Sequence, residues 1–392
     1  MTERKYRSTH PWITFELKLQ DAHPAFWMLL GEARSKCDHI RFVPLSQETA
    51  SQLNLVYFAK GVNATTAIEG NSLSEEQVQE RIKGQLKLPL SKEYLGVEID
   101  NMLGAYNEII HAVRRGEHIT VSIETLCRLN KQILAGLEVE EHVVPGQLRQ
   151  CSVVAGNYLA PPWEDVPYLI SRLCEWLEQL KAPDQQQQIP YAFIKAVVAH
   201  LYVEWIHPFG DGNGRLGRLV EFLILISSGV PMPAAHVLTS HYNDTRTEYY
   251  RQLTNASRNG GDLRPFLTYA GQGFIDGLTT AIKHLHKQQE QLMWASVADE
   301  AFDRHTPAAN RQRLLATELG RNSDWVPIAL LRKLTPALTE AYVGRTPKTL
   351  SRDINRLVEL RLVEKRADKR VRAMLERVRG MRPLVVTDPD AE

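Results

Sequence analysis

The chain has 392 residues, of which 43% are apolar and 24% charged, with 47 Lys plus Arg against 46 Asp plus Glu. That length suits two or three domains with ample core, so no metal or disulfide staple is required, and the near-neutral total excludes a polycation. Four scattered cysteines, Cys37, Cys127, Cys151 and Cys174, form no CxxC pair, which reads as reduced thiols in a cytoplasmic protein.

The opening residues MTERKYRSTHPW lack an apolar core of signal type. The greasiest stretch, 222–235, is short and broken by Pro231 and Pro233, so the expectation is a soluble chain with no membrane partner. Helical periodicity dominates from there on. Residues 45–60, 74–84, 95–114 and 120–135 read as amphipathic helices. Residues 143–163 are the non-helical exception, with Gly, Pro and short apolar runs that predict a hairpin or flap. A Gln/Pro patch at 182–190 reads as an exposed connection.

Pro190 then opens a helix that is apolar nearly all round, ended by Pro208, and a second apolar helix is predicted from about Asn213 to Ser228. A polar connecting helix is expected over 287–310. Residues 338–365 read as helix, turn, helix and a strand-like wing, with Thr346 as cap and Pro347 at the first helical position. From Arg345 to Arg382 there are 13 basic and 5 acidic residues, a local charge of +8. Lys348, Arg352, Arg356, Lys365, Arg366, Lys369, Arg370 and Arg372 give the electrostatic footprint of a DNA-binding module, with a protein-contact role as the competing reading.

The densest chemistry lies between the two apolar helices, in His207-Pro-Phe-Gly-Asp-Gly-Asn-Gly-Arg-Leu-Gly-Arg218. Its glycines let backbone amides close on an anion, and the helix starting near Asn213 favours a phosphate. Arg215 and Arg218 are three apart and share a helix face, where they can clamp further phosphates. Asp211 at the loop tip suits Mg²⁺ bound to phosphate oxygens, and His207 titrates near neutrality and can take a proton from a hydroxyl. The embedded Gly212-x-Gly214-x-x-Gly217 is no dinucleotide fingerprint, because a helix and not a strand precedes it.

This string resembles the Fic family signature HxFx(D/E)GNGRxxR at every specified position. The resemblance implies an all-α bundle with a small β-hairpin flap, here with a C-terminal winged-helix domain. The implied division is an N-terminal helical region at 1–110, a catalytic core at 111–290, and a connecting helix with winged helix-turn-helix at 291–392. It also implies an enzyme, a protein adenylyltransferase that moves AMP from ATP to a Ser, Thr or Tyr hydroxyl of a target protein. His207 would then be the base, and Asp211 the Mg²⁺ ligand. Gly212, Asn213 and Gly214 would cradle the α-phosphate, Arg215 the β- and γ-phosphates, with Phe209 as a core anchor. Some relatives use uridine or choline-bearing nucleotides, and the Doc toxins transfer a terminal phosphate but carry lysine where Gly214 stands.

A second string, Thr65-Thr-Ala-Ile-Glu69-Gly-Asn71, is similar to the family's inhibitory motif (S/T)xxxE(G/N). By that resemblance Glu69 pairs with Arg218 and keeps the γ-phosphate from docking, and removal of AMP from a target enters as the reverse reaction. The flap at 152–160 would bring Ala155, Gly156, Asn157 and Tyr158 to the nucleotide, and Tyr249 and Tyr250 would line the adenine side. His200 reads as a satisfied core histidine. A regulator with a nucleotide-sensing core that binds DNA is the alternative function. The partners expected are ATP, a target protein with self-modification included, and DNA, and a homodimer stays open.

Overall fold

The computed structural model describes residues 4–302, 306–322 and 324–380. Two compact units divide the chain, Met1–Ile282 and Lys283–Glu392. The first opens with α1 (Tyr6–Thr9), α2 (Pro24–Phe42), α3 (Gln47–Ile68), α4 (Glu75–Ile82), α5 (Glu93–Arg114) and α6 (Ile123–Ile133). A two-stranded antiparallel hairpin follows, β1 (Val154–Ala155) with β2 (Tyr158–Leu159), pairing Val154 with Leu159 and Ala155 with Tyr158. Then come α7 (Val166–Gln179), α8 (Gln188–Ile206), α9 (Asn213–Ser227), α10 (Met232–Ala235), α11 (Val237–Asp244) and α12 (Arg246–Arg258). The long helix α13 (Arg264–Glu300) crosses the boundary between the units.

The separation expected at residue 110 does not occur, because α5 runs through it and α3 packs against α5, α9 and α11. The N-terminal helices and the expected core are one unit, and the boundary falls at 282 where 290 was expected. At its centre α8 packs against α9, α2 and α7. Phe193, Val197, Leu201 and Ile206 on α8 are fully or almost fully buried, as are Leu216, Leu219 and Leu223 on α9, each side chain stabilising the fold by about 1.5–3 kcal/mol. By length and composition α8 alone among the described helices could cross a bilayer, but most of it is buried inside the bundle. Ser46, Ser74 and Ser122 cap α3, α4 and α6 through bonds to N3 amides, which explains why these helices start where they do.

The second unit contains α14 (Pro307–Gly320), β3 (Val326–Pro327), α15 (Pro336–Ala341) and α16 (Pro347–Glu359). It ends with β4 (Val363–Lys365), β5 (Arg370–Ala373) and α17 (Glu376–Arg379). The strands form an antiparallel sheet in the order β3-β5-β4. Trp294, Leu319, Leu338, Ile354, Leu357 and Val371 make its core. The single connecting helix expected over 287–310 is two helices, since Thr306 caps a new start with Pro307 at its first position; residues 303–305 lie outside the described residues, as does Arg382. Thr346 occupies the cap position of α16 with Pro347 next, but its hydroxyl makes no cap bond and sits 3.4 Å from Thr349 Oγ1.

Candidate active site

The loop between α8 and α9 is held by side chains that satisfy its backbone. His207 ends α8 in the left-handed region at φ 49°, a conformation uncommon outside glycine. Buried Arg149 holds it there, with Nε donating to the His207 carbonyl (2.7 Å) and Nη2 to those of Pro161 (2.6 Å) and Ile206 (3.4 Å). Asn213 spans the loop, accepting from Phe209 N and donating to Phe209 O, both at 2.9 Å. Asn130 on α6 donates to the Asp211 carbonyl at 2.9 Å. Phe209 is buried beneath as the anchor. The Asn213 side chain bonds inside the loop, so the backbone amides of Asn213 and Gly214, in the first turn of α9, are the ones that suit an anion, while the Gly212 amide is taken by Asp211 Oδ1.

His207 Nδ1 lies 3.3 Å from the Glu204 carbonyl oxygen. With Nδ1–H donating there, the lone pair is on Nε2, which has no hydrogen-bond partner among the described residues. Burial pushes the His207 pKa below its ordinary value against the opposing pull of Glu204, so the ring is neutral at physiological pH. Asp211 is half exposed, its Oδ1 accepting from Gly212 N at 2.5 Å and facing Arg215 at 3.6 Å. Among the described residues no cluster of three His, Cys, Asp or Glu forms a metal cage. One carboxylate is nevertheless the usual protein share of a Mg²⁺ that arrives with phosphates.

Both arginines of the loop are paired to carboxylates. Arg218, almost wholly buried, donates Nη2 to Glu69 Oε1 (2.6 Å) and the Thr65 carbonyl (3.1 Å), and Nε to Thr65 Oγ1 (2.9 Å). The spacing of the string at 65–71 follows from this grip: residues four apart on α3 share a face, so Thr65 and Glu69 reach one guanidinium together. Gly214 lies close under this pair: a Cβ on it would fall 2.6 Å from Glu69 Oε1, so a side chain there would displace the end of the glutamate. Gly70, at φ 103°, ends α3, and Asn71 binds Leu95 O (3.0 Å) and Glu98 Oε2 (2.9 Å). Arg246 on α12 donates to the Ala67 and Ile68 carbonyls. The other oxygen of Glu98 accepts from Arg215 Nη1 at 2.7 Å, and both side chains are largely buried.

Behind Arg218 lies a buried polar cluster. His200 Nε2 lies 2.9 Å from the Tyr249 hydroxyl, and its Nδ1 is 3.5 Å from Glu221 Oε2. Tyr242 donates to Glu221 at 2.9 Å. Burial opposes a charge on His200, but Glu221 and Glu204 outweigh it and raise its pKa. His200 is the core histidine expected from sequence, though part of a larger network than that implied. Of the two tyrosines expected on the adenine side, Tyr249 is 1% exposed with its hydroxyl facing His200. Tyr250 is 45% exposed, with the Arg246 guanidinium 5.9 Å over its ring.

At the hairpin Ala155, Gly156 and Asn157 are exposed, with Gly156 at φ 59° turning the chain. Tyr158 differs from expectation, since its hydroxyl donates to the Trp205 carbonyl (2.8 Å) and its ring meets His10 edge-on. It anchors the base of the hairpin and does not present its hydroxyl to a nucleotide. Glu98, Arg149, Asn130 and Arg246 escaped the sequence reading because their partners lie far off along the chain.

Residues 120–225 match the Fic/DOC family. The chain is 30% identical over 208 residues to proteins named protein adenylyltransferase fic-1 in Caenorhabditis briggsae and Caenorhabditis elegans, covering 53% of this chain and 38% of each relative. It thus spans well under half the length of these relatives. In three dimensions it is similar to a Fic family protein from Desulfovibrio desulfuricans, with TM-score 0.59 and 21% identity over 92% of this chain and 98% of that one. The C. elegans Fic-1 structure aligns with TM-score 0.53 and 25% identity, covering 67% of this chain and 73% of the other.

Proposed function

Because the chain carries a Fic domain over residues 120–225, we propose that it is a protein adenylyltransferase, moving AMP from ATP to a Ser, Thr or Tyr hydroxyl of a target protein. The observation that carries this is His207, held in a left-handed turn with Nδ1 on the Glu204 carbonyl and Nε2 directed to accept a proton. In the proposed step a target hydroxyl attacks the α-phosphorus and gives its proton to Nε2. The bond from the α-phosphorus to the bridging oxygen breaks, and pyrophosphate leaves. The amides of Asn213 and Gly214 would bind the α-phosphate, and Arg215 the outer phosphates. Mg²⁺ would come with ATP and take Asp211 as its protein ligand. Exposed Tyr250 and the hairpin residues 155–157 remain for the nucleotide and the incoming segment.

Arg218 gripped by Glu69 and Thr65 supports autoinhibition, because a guanidinium whose Nη2 is held by a carboxylate and whose Nε is held by a hydroxyl is not free for a γ-phosphate. Removal of AMP by water is the second reading, favoured by the Glu69 carboxylate standing next to Gly214. Incubation of the purified chain with α-labelled ATP, Mg²⁺ and a lysate tests the proposal. Covalent label on protein is expected. Its absence from wild type and from Glu69→Gly alike would overturn the reading.

A further inference from the structure

We propose that the exposed face of α16 and the β4–β5 hairpin form a binding surface for double-stranded DNA, with α16 in the major groove and the hairpin on the backbone. This does not depend on the transfer reaction. One face of α16 is buried through Leu350, Asp353, Ile354 and Leu357. The opposite face exposes Lys348, Ser351, Arg352 and Asn355, whose i, i+3, i+4, i+7 spacing makes a single stripe. Those side chains fit base edges: Arg pairs with guanine, Asn with adenine, and Ser with either.

Charge separates this face from one that is merely solvated. A solvated helix face interleaves acids with bases at i,i+4. Here Asp353 is turned inward, and Glu359 pairs with Arg356 at the far end. Lys348, Arg352, Lys365 and Lys369 form no ion pair among the described residues. Nor does the stripe carry an aromatic or large apolar anchor of the kind on which a protein interface centres. An A-form helix is excluded as the natural partner because its deep, narrow major groove does not admit α16.

The face is also rigid, as groove reading requires. Asp353 accepts from Arg311 (2.7 and 3.2 Å), Gln312 (2.8 Å) and Tyr342 (3.0 Å), fastening α16 to α14. Arg332 closes the turn before α16 by donating to the Tyr342 and Arg345 carbonyls, both at 2.7 Å. In the hairpin, the guanidinium groups of Arg366 and Arg372 lie 4.7 and 4.8 Å from the Trp325 ring centroid. That packing stiffens the strands while Lys365, Lys369 and Arg370 stay exposed at the tip.

The test is fluorescence anisotropy of the full chain with a fluorescein-labelled mixed-sequence duplex of roughly 24 bp, with a single strand and an RNA duplex of matching sequence as competitors. Wild type should bind the DNA duplex with a micromolar dissociation constant at about 50 mM salt and weaken steeply by about 200 mM. The Lys348→Glu/Arg352→Glu variant should lose at least about tenfold with the melting temperature unchanged. The Lys365→Ala/Lys369→Ala variant should weaken all duplexes alike and flatten the salt slope by about 1 per lysine. Should charge reversal lower the melting temperature, Arg352→Ala decides instead, with a several-fold loss expected. The proposal is overturned if wild type ignores the duplex at low salt, if the α16 variant binds as wild type does, or if the RNA duplex or single strand is preferred.

Discussion

Around the loop at 207–218 every arginine already grips an acceptor: Arg218 holds Glu69 and Thr65, Arg215 holds Glu98, and Arg149 holds four carbonyls. On α16 and the hairpin, Lys348, Arg352, Lys365 and Lys369 are exposed and form no ion pair among the described residues, while the hairpin acids Glu364 and Asp368 pair with Arg372 and Arg370. The same side-chain chemistry thus serves two purposes according to burial. Buried, a guanidinium must be paired, and the pair fixes geometry or withholds the charge. Exposed and unpaired, it remains available for a polyanion. The first region is set by removing a partner, the second by removing a charge.

The largest expected effect tests whether the loop does chemistry at all. His207→Ala should lower transfer by about 10²- to 10⁴-fold, with ATP still bound, because the amides and arginines are untouched. Labelling equal to wild type would break the assignment of the base. Next comes the buried pair of the second unit. Asp353→Ala leaves Arg311 unpaired and should cost about 3 kcal/mol, seen as an earlier melting transition of that unit. Transfer by the first unit should be unaffected if the two regions act separately.

Smaller effects sharpen the account of withheld arginines. Glu69→Gly should raise labelling by about 10- to 100-fold, the range set by one lost charge-assisted bond. Arg218→Ala should not mimic it, and the double variant should resemble Arg218→Ala, as expected of residues acting as one unit. Glu98→Ala frees Arg215 in the same way, while Asn71 keeps its bond to Leu95 O. It should tighten ATP binding several-fold in a titration, and more when combined with Glu69→Gly. An unchanged affinity would mean that Glu98 only braces α5.

The smallest effect is on pH. Burial lowers the His207 pKa, so the base stays neutral further into acid. The acid limb of kcat/KM should therefore fall below about pH 6.5, the ordinary histidine value. Its position should move when Glu204, whose charge opposes that shift, is replaced by Gln.

Much of the site was legible because its information is local. The helix breaks at Pro208 and Gly212, the glycines, and the three-residue spacing of Arg215 and Arg218 follow from backbone sterics and helix geometry. The four-residue spacing of Thr65 and Glu69 is equally local, and it specified a shared face before any partner was visible. Tyr249 and Tyr250 show where this ends. Adjacent residues on a helix point about 100° apart, so one of the two had to turn inward. Which one is fixed by how α12 packs, and His200 claims Tyr249.

By itself, then, the sequence determined the helices, the glycine-rich loop at 207–218 with the histidine proposed as its base, and the basic character of α16. Only the tertiary structure decided that Glu98 meets Arg215 across 117 residues and that Arg149 joins the hairpin base to the end of α8. It also joined the expected N-terminal region and core into one unit. The physical reason is that hydrogen bonds along a helix are set by neighbours in sequence, whereas a buried charge takes whatever partner the packed chain brings within about 3 Å.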